Sequence, residues 1–371
     1  MRLAWRNIWS DRVRFVTTVL GIAFSVFLMI FLGSLLVGFV RASSKVIDST
    51  DADLWITARG VTCLDFSAPV ARRFEQLTHG VAGVAGTSRL LIRFLLYRKP
   101  GGNHRVIALV GADPQVGSAF PLPFLSGTRA VEPDTVVVDH GDLAALGIRG
   151  FPEEVEINGR RATIAGQTSG FSNFIGCPYV FTSFTNAARY SGLTVEDGMN
   201  VLVRVEPGHD ARVVQRALRA RLPEVDVWTR EEFSRQSRIF WVVETGAGGG
   251  ILMAALLGFI IGAVIASQQI YATTMENIEE FATLKALGAS RRFVIRVLLA
   301  QAMASGIAGC LVGVAATFPL VGVAQRFVSW IYTPWWLPFV MVPPSLLMCA
   351  VAALTSVRAA LRIDPARVFR A

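Results

Sequence analysis

Charged and uncharged positions are segregated along this chain more completely than a water-soluble fold requires. Residues 15–40, 245–275, 297–325 and 327–357 contain no Asp, Glu, Lys, Arg or His. A helix needs roughly 20 apolar residues to cross a hydrocarbon core, and buried core helices seldom use more than about 14. The pattern therefore predicts a helical membrane protein with four transmembrane helices, one followed by a large insertion and then three. The predicted spans are 15–40, 241–272 (including the end of a stalk), 295–325 and 338–358.

Between residues 41 and 240 the pattern turns soluble and short periods alternate. Residues 54–58 predict a strand and 68–77 a helix. Residues 88–97 and 105–111 predict a strand pair around the Pro100-Gly101-Gly102-Asn103 turn. Strands follow at 201–205 and 225–228. Between them 210–222 reads as a helix capped by Asp210, with Val213, Val214, Ala217, Leu218 and Leu222 on one face. These pieces, about 52–111 and 200–230, could combine into a split ferredoxin-like unit. The stretch 112–199 reads as an inserted β-rich subdomain, with strands at 135–139, 154–157, 161–166 and 178–182. Asn158-Gly159 gives it a two-residue hairpin. The fold class expected is four transmembrane helices with a large α+β extracytoplasmic domain between the first and second.

Charge then orients the chain. The net charge of +9 would suit a nucleic-acid binder if it were spread evenly. Instead the head (1–14), the loop between spans two and three (273–294, with Arg296 just beyond it) and the tail (359–371, with Arg358 just before it) hold twelve basic residues against five acidic, while residues 41–244 hold 23 against 22. Short basic flanks stay cytoplasmic and long domains cross regardless of charge. Both termini and the 273–294 loop are therefore expected inside, and the large domain and the 326–337 loop outside. Nucleic acid is dropped as a partner. Trp5 and Trp9 are placed at the inner headgroup level, and Trp241, Trp330, Trp335 and Trp336 at the outer one. The head, with Leu3, Trp5, Ile8, Trp9 and Val13, could lie along the inner lipid surface. Span one is expected to be retained, since its uncharged run far exceeds a signal-peptide core of about 7–15 residues.

Several chemistries are unsupported by any motif. The chain lacks the G-x-x-x-x-G-K-[ST] phosphate loop, a G-x-S-x-G elbow and an H-E-x-x-H helix. The four histidines, His79, His104, His140 and His209, are scattered, so no catalytic or metal site is expected. Cys63 and Cys177 fall in the outer domain, where a disulfide could join them. Two unpaired small hydrophobes is the favoured reading, because two positions fix no framework. With no ionisable residue in the spans, a self-contained carrier is not expected. Three glycine pairs at four-residue spacing, Gly246/Gly250, Gly258/Gly262 and Gly309/Gly313, suit close helix packing.

The most specific local sequence lies in the inner loop, 276–292. Ile278, Phe281, Leu284 and Leu287 recur at three-residue steps, which predicts a short helix with an apolar stripe. Glu279 and Glu280 open it and Lys285 lies near its end, as the helix dipole prefers. Gly288 suits a left-handed stop and Ser290 can cap the next helix. One reading is a membrane-surface connector; the other is a helix that docks on a cytoplasmic partner.

This one-plus-three layout, with "E-E-F-A-T-L-K-A-L-G-A-S" at 279–290 and Thr18-Val19-Leu20-Gly21-Ile22-Ala23 after a basic head, resembles the permeases of MacB/FtsX/LolC-type ABC transporters. The likeness extends to DevC-type exporter permeases through "E-I-N-G-R-R" at 156–161, "L-P-x-x-D-V" at 222–227 and "Y-A-T-T" at 271–274. The resemblance implies a non-enzymatic permease of a bacterial inner membrane that works by mechanotransmission, with helices of spans one and two extended as a stalk. It implies a second permease copy and a separate cytoplasmic ATPase, since MacB carries its ATPase ahead of span one and this sequence starts at that span. It also implies a periplasmic adaptor with an outer-membrane duct. The chain would bind no cofactor, and ATP and Mg²⁺ would sit on the ATPase. The docking residues implied are Ile278, Glu279, Glu280, Phe281, Leu284, Lys285, Leu287 and Gly288. An FtsX-like signalling permease acting on an outer-face hydrolase, and LolC-like lipoprotein extraction, are the alternatives.

Overall fold

The computed structural model describes residues 12–113, 124–127, 132–194, 197–276 and 290–361. The chain divides into two compact units. One is drawn from the described residues of Met1–Gly38, Gly249–Phe327 and Ile331–Ala371, and the other is Phe39–Gly248 with Val328–Trp330.

In chain order, helix α1 (Arg12–Ala42) leads through a short α2 (Lys45–Asp48) into the inserted domain. There follow β1 (Leu54–Ala58), β2 (Val70–Ala71), α3 (Arg72–Thr78), β3 (Val84–Arg98), β4 (His104–Ala112), β5 (Phe124–Gly127) and β6 (Thr135–Asp139). Next come α4 (Leu143–Leu146), β7 (Glu153–Ile157), β8 (Arg160–Thr168), β9 (Tyr179–Ser183), α5 (Phe184–Ser191), β10 (Asp197–Gly198) and β11 (Asn200–Val205). The domain closes with α6 (Ala211–Arg221), β12 (Val225–Thr229), α7 (Arg230–Ile239) and a π-helical turn at Phe240–Glu244. Three long helices remain, α8 (Ala247–Glu276), α9 (Arg291–Ala324) and α10 (Leu337–Leu361).

Ten strands form one sheet in the order β12-β1-β11-β3-β4-β9-β6-β8-β5, with β7 against β3 and β8. The first four strands are antiparallel, and β1-α3-β3 and β11-α6-β12 interleave there in a β-α-β-β-α-β order. The fifteen-residue β3 is the splice: it pairs with β11 through residues 84–90, with β4 through 90–98 and with β7 at 97–98. Strands β5 to β9 of the 112–199 stretch thus extend the same sheet, while β10 pairs with β2 in a separate two-stranded sheet.

The sheet separates two cores because side chains alternate along a strand. On β1, Leu54 and Ile56 face a core with Phe74 of α3, Val214 and Leu218 of α6, and Val201 and Val203 of β11. Trp55 points the other way, into the larger core containing Leu202 and Phe233. Its ring centroid lies 5.2 Å from that of Phe233. Strands buried on both faces read as continuous apolar runs, and so do the Leu-Trp-Ile of β1 and the Val-Val-Val of β6.

The local signals act as expected from their chemistry. Asp210 accepts from the Arg212 backbone N–H at 2.8 Å and caps α6. Asn158, with φ +50, and Gly159, with φ +76, make the β7–β8 hairpin. Thr229 and Glu232 form a reciprocal capping box at the start of α7. Burial pushes the Glu232 carboxyl pKa up, but the Thr229 backbone N–H, the Gln215 amide and the charges of Arg219 and Arg212 outweigh it and bring it below the usual range.

Among the described residues, α1, α8 and α9 each carry an apolar run long enough to cross a membrane: Phe15–Ala42, Ala247–Gln269 and Ile295–Ala324. The apolar run of α10 is shorter, Leu337–Val351. Residues 327–336, uncharged like a span, are not helical apart from turns. Pro319 lies inside α9, and Pro343 and Pro344 lie inside α10. Several hydroxyls in these helices bond back to the preceding turn, as Ser34 does to the Ile30 carbonyl at 2.7 Å and Ser345 to the Met341 carbonyl at 2.7 Å.

Replacing Trp55 by Ala removes a fully buried ring from the larger core and is expected to cost about 3–5 kcal/mol of domain stability. Chemical denaturation of the full-length chain in detergent should register this as a lower midpoint. An unchanged midpoint would contradict the placement of that ring.

Candidate functional site

Two sets of residues stand out: those that pack the apolar helices together, and those that bind α7 to the segment following α1. The predicted docking residues Ile278, Glu279, Glu280, Phe281, Leu284, Lys285, Leu287 and Gly288 lie outside the described residues. Their boundaries are described: α8 runs to Glu276, and the Ser290 side chain accepts from the Phe293 backbone N–H at 3.3 Å, capping α9.

Within the membrane unit α1 is the hub. A Cβ added at Gly258 of α8 would lie 2.4 Å from Leu32, and one at Gly262 would lie 3.0 Å from Ser25. The Ser25 hydroxyl lies 2.9 Å from the Gly21 carbonyl and 3.2 Å from that of Gly262. On another side, a Cβ at Gly309 of α9 would meet Ile22 at 2.6 Å, and one at Gly313 would meet the Ala23 carbonyl at 2.7 Å and Val26 at 2.9 Å. Helix α10 meets α1 through Leu337 against Gly33 and Ser345 near the Met29 sulfur at 3.6 Å. Thr333 donates to the Ser34 hydroxyl at 2.8 Å. Small residues let backbones approach where no hydrophobic force drives helices together in lipid. Helix α8 is covered far less, and Leu252, Met253, Leu256, Leu257 and Ile260 are all exposed along it.

Gly246 and Gly250 behave differently: neither has a non-local atom within 4 Å of an added Cβ. Gly246 has φ +72, a left-handed conformation that other residues rarely adopt. The close approach in this stretch is at Gly248, where a Cβ would lie 2.6 Å from the Val242 backbone. The helical extension of span two expected as a stalk is therefore interrupted before that span begins. Helix α7 stops at Ile239, the π-helical turn follows, and Gly246 breaks the path before α8 begins.

Helix α7 is tied to the segment that follows α1. The Ser237 hydroxyl donates to the Ser43 carbonyl at 3.0 Å and is fully buried. Arg238 donates to the Ser44 hydroxyl at 2.7 Å and to the Asp48 carboxylate at 2.7 Å. Arg230 donates to the Thr50 carbonyl at 3.0 Å, and its backbone N–H to that of Asp53 at 3.0 Å. The polypeptide entering the domain and that leaving it are thus clamped side by side by five polar contacts.

Beside this clamp is a group of six aromatic rings. Trp241 packs on Phe174 at 4.8 Å, Phe240 at 5.5 Å and Phe66 at 5.8 Å, and Phe39 packs on Phe174 at 4.9 Å and Trp330 at 6.4 Å. Trp241 is 9% exposed, so the outer-headgroup placement expected for it gives way to packing inside the inserted domain. Its indole N–H donates to a buried carboxylate, Asp65, at 3.1 Å, and the Tyr179 hydroxyl donates to the same carboxylate at 3.5 Å. Burial raises the Asp65 pKa from 3.8 to about 6 against the pull of those donors. Sequence reasoning gives no role to Asp65; the available signal is an aspartate set between Leu64 and Phe66 in an apolar stretch.

Cys63 and Cys177 are free thiols that flank the Asp65–Tyr179 pair in sequence. Burial pushes the Cys63 thiol up to about 12 and raises that of Cys177, so both resist forming the reactive thiolate. Farther along, Asp142 is buried beside Asp139, one of its oxygens without a hydrogen-bond partner among the described residues, and burial, with the Asp139 charge, raises its pKa to about 7. Among the described residues no group of three or more His, Cys, Asp or Glu is placed to hold a metal ion.

The family model described as MacB-like periplasmic core domain matches residues 15–221, more than half of the chain, and that described as FtsX-like permease C-terminal matches residues 249–365. The chain therefore belongs to the MacB/FtsX-type family of ABC transporter permeases. Such permeases are multi-pass membrane subunits that work with a cytoplasmic ABC ATPase. Among solved structures, the periplasmic region of MacB from Actinobacillus actinomycetemcomitans is 11% identical at TM-score 0.41, covering 52% of this chain and 96% of that one. The extracellular domain of the ABC-type transporter YknZ from Gram-positive bacteria is 15% identical at TM-score 0.37, covering 48% and 99%. No curated protein matches the chain.

Gly313→Leu would force side-chain atoms against the α1 backbone and is expected to cost about 1–3 kcal/mol or to part α9 from α1. Thermal unfolding of the detergent-solubilised chain reads this directly. A melting temperature equal to that of the parent would contradict the α1–α9 contact.

Proposed function

We propose that this chain is the permease subunit of an ABC exporter that works by mechanotransmission. Four spans, formed by α1, α8, α9 and α10, hold both termini and the 273–294 loop in the cytoplasm of a bacterial cell and place the inserted domain outside the inner membrane. A separate ATPase docks on the loop, with Ile278, Phe281, Leu284 and Leu287 filling a groove and Glu279, Glu280 and Lys285 setting the orientation. Gly288 ends the docking helix. Two permease copies face each other, ATP and Mg²⁺ sit on the ATPases, and a periplasmic adaptor leading to an outer-membrane duct completes the export path.

The observation that carries this reading is the clamp between α7 and residues 43–53. A relay needs rigid connections at the points where the first two spans meet the domain, and the clamp couples those two points. The described apolar helices pack through glycine, alanine and hydroxyl contacts and contain no charged residue between 297 and 325, which supports a packed bundle rather than an ion-lined path. The same clamp would serve a signalling permease, so cargo and adaptor are settled by partner identification and not by this geometry.

Phe281→Asp puts a charge into the apolar stripe of the loop. Affinity capture of the full-length chain from its own cells is expected to recover the ATPase with the parent and to lose it with the variant, while both insert into the membrane. Undiminished ATPase recovery with the variant would overturn the docking assignment.

A further inference from the structure

We propose that Asp65 is a positioning residue for this relay, a buried carboxylate with no cationic partner among the described residues, which pins the π-helical turn 240–244 through Trp241 and makes that turn the point where the joint yields. The inference rests on the mechanotransmission reading for its purpose but not for its physics. The turn joins α7 to α8, and a left-handed Gly246 and a contact-limited Gly248 follow it. π-Helical turns are uncommon and recur at functional positions. Trp241 is the turn's buried residue, and its bond to Asp65 anchors it to the loop before β2.

The charged and titratable groups around Asp65 define its behaviour. Tyr179 of β9 and Trp241 of the turn donate to it; Cys63 on its own loop and Cys177 ahead of β9 are neutral thiols. Glu244 of the turn and Arg105 of β4 act on Cys63 and Cys177 respectively, and neither acts on Asp65. At neutral pH the carboxylate is therefore ionised in a buried site, balanced by neutral donors: the Trp241 indole, its own backbone N–H and the Tyr179 hydroxyl. Burying a charge on those terms is costly, and water reaching the site removes the cost.

The sign follows from linkage. In the closed turn Asp65 titrates near 6, raised from 3.8 chiefly by burial. When the turn opens and water reaches it, the value falls back toward 3.8. The closed turn thus binds the proton more tightly, and its stability is fully present at low pH and lost as pH rises through about 6. The ratio of the two acid constants sets the limit, an opening equilibrium that grows by about a hundredfold across that range.

Hydrogen exchange of the backbone amides of 240–248, followed by mass spectrometry on the full-length chain in lipid nanodiscs without ATPase, tests this between about pH 4.5 and 8. After correction for intrinsic exchange, the parent is expected to show opening that rises through about pH 6 by ten- to a hundredfold. Asp65→Asn, neutral at every pH, should hold the turn closed and abolish the rise. Trp241→Phe keeps the ring but loses the donor and should increase exchange at neutral pH. A flat parent profile, an Asp65→Asn profile with the parent's slope, or increased exchange in Asp65→Asn at all pH would overturn the proposal. Should Asp65→Asn fail to insert, the parent profile decides alone. If the pin is found and ATP-driven transport is nonetheless unaffected by Asp65→Asn, the relay reading fails while the pin stands.

Discussion

The clamp between α7 and residues 43–53 is the interaction on which the rest of the account depends. The Arg238–Asp48 contact is exposed, but Ser43, Ser44, Thr50 and Ser237 are buried, and a polar group of theirs left without a partner would cost about 1–3 kcal/mol. That cost ties the exit of α1 to the approach of α8 although nearly two hundred residues separate them in sequence. The buried Ser237–Ser43 contact and the Arg238 fork to Ser44 and Asp48 hold α7 against residues 43–48.

Rigidity on one side is matched by a built-in break on the other. Helix α7 is strongly capped at its start by Thr229 and Glu232 but passes into a π-helical turn and a left-handed glycine at its end. The turn is held by aromatic packing and one buried carboxylate, a hold that responds to water entry. In the apolar unit, α1 is lined on several sides by small residues of its neighbours, which permits close packing without any charge. Helix α8 leaves most of its apolar surface uncovered by this chain, and lipid or protein must cover it.

The sequence made legible whatever depends on local pattern. Residues 54–58 and 135–139 were readable as strands because continuous apolar runs bounded by turn residues have few other fates. Asp210 and Ser290 were readable as caps because a short side-chain oxygen before a helical run satisfies a free backbone N–H. Helix α5, Phe184–Ser191, escaped notice because it is short and its pattern of buried Phe184, Ala187, Ala188 and Tyr190 competes with a neighbouring strand signal. The site was less legible than the fold. The spacing of Gly246 and Gly250 is identical to that of Gly258 and Gly262, and only the backbone distinguishes a turn from a packing face. Asp65 was invisible for a related reason: a lone carboxylate between structured segments reads as solvated until Trp241 and Tyr179 arrive from distant parts of the chain.

The central claim is that force entering at the cytoplasmic loop reaches the inserted domain through α7. Spin labels at exposed Arg235 of α7 and exposed Arg292 at the start of α9 report on that path within one chain. Their distance distribution should be measured in the reconstituted permease–ATPase complex without nucleotide and with ATP trapped on the ATPase. The account predicts that ATP shifts the distribution. Identical distributions in the two states, with the ATPase demonstrably bound and loaded, would contradict it.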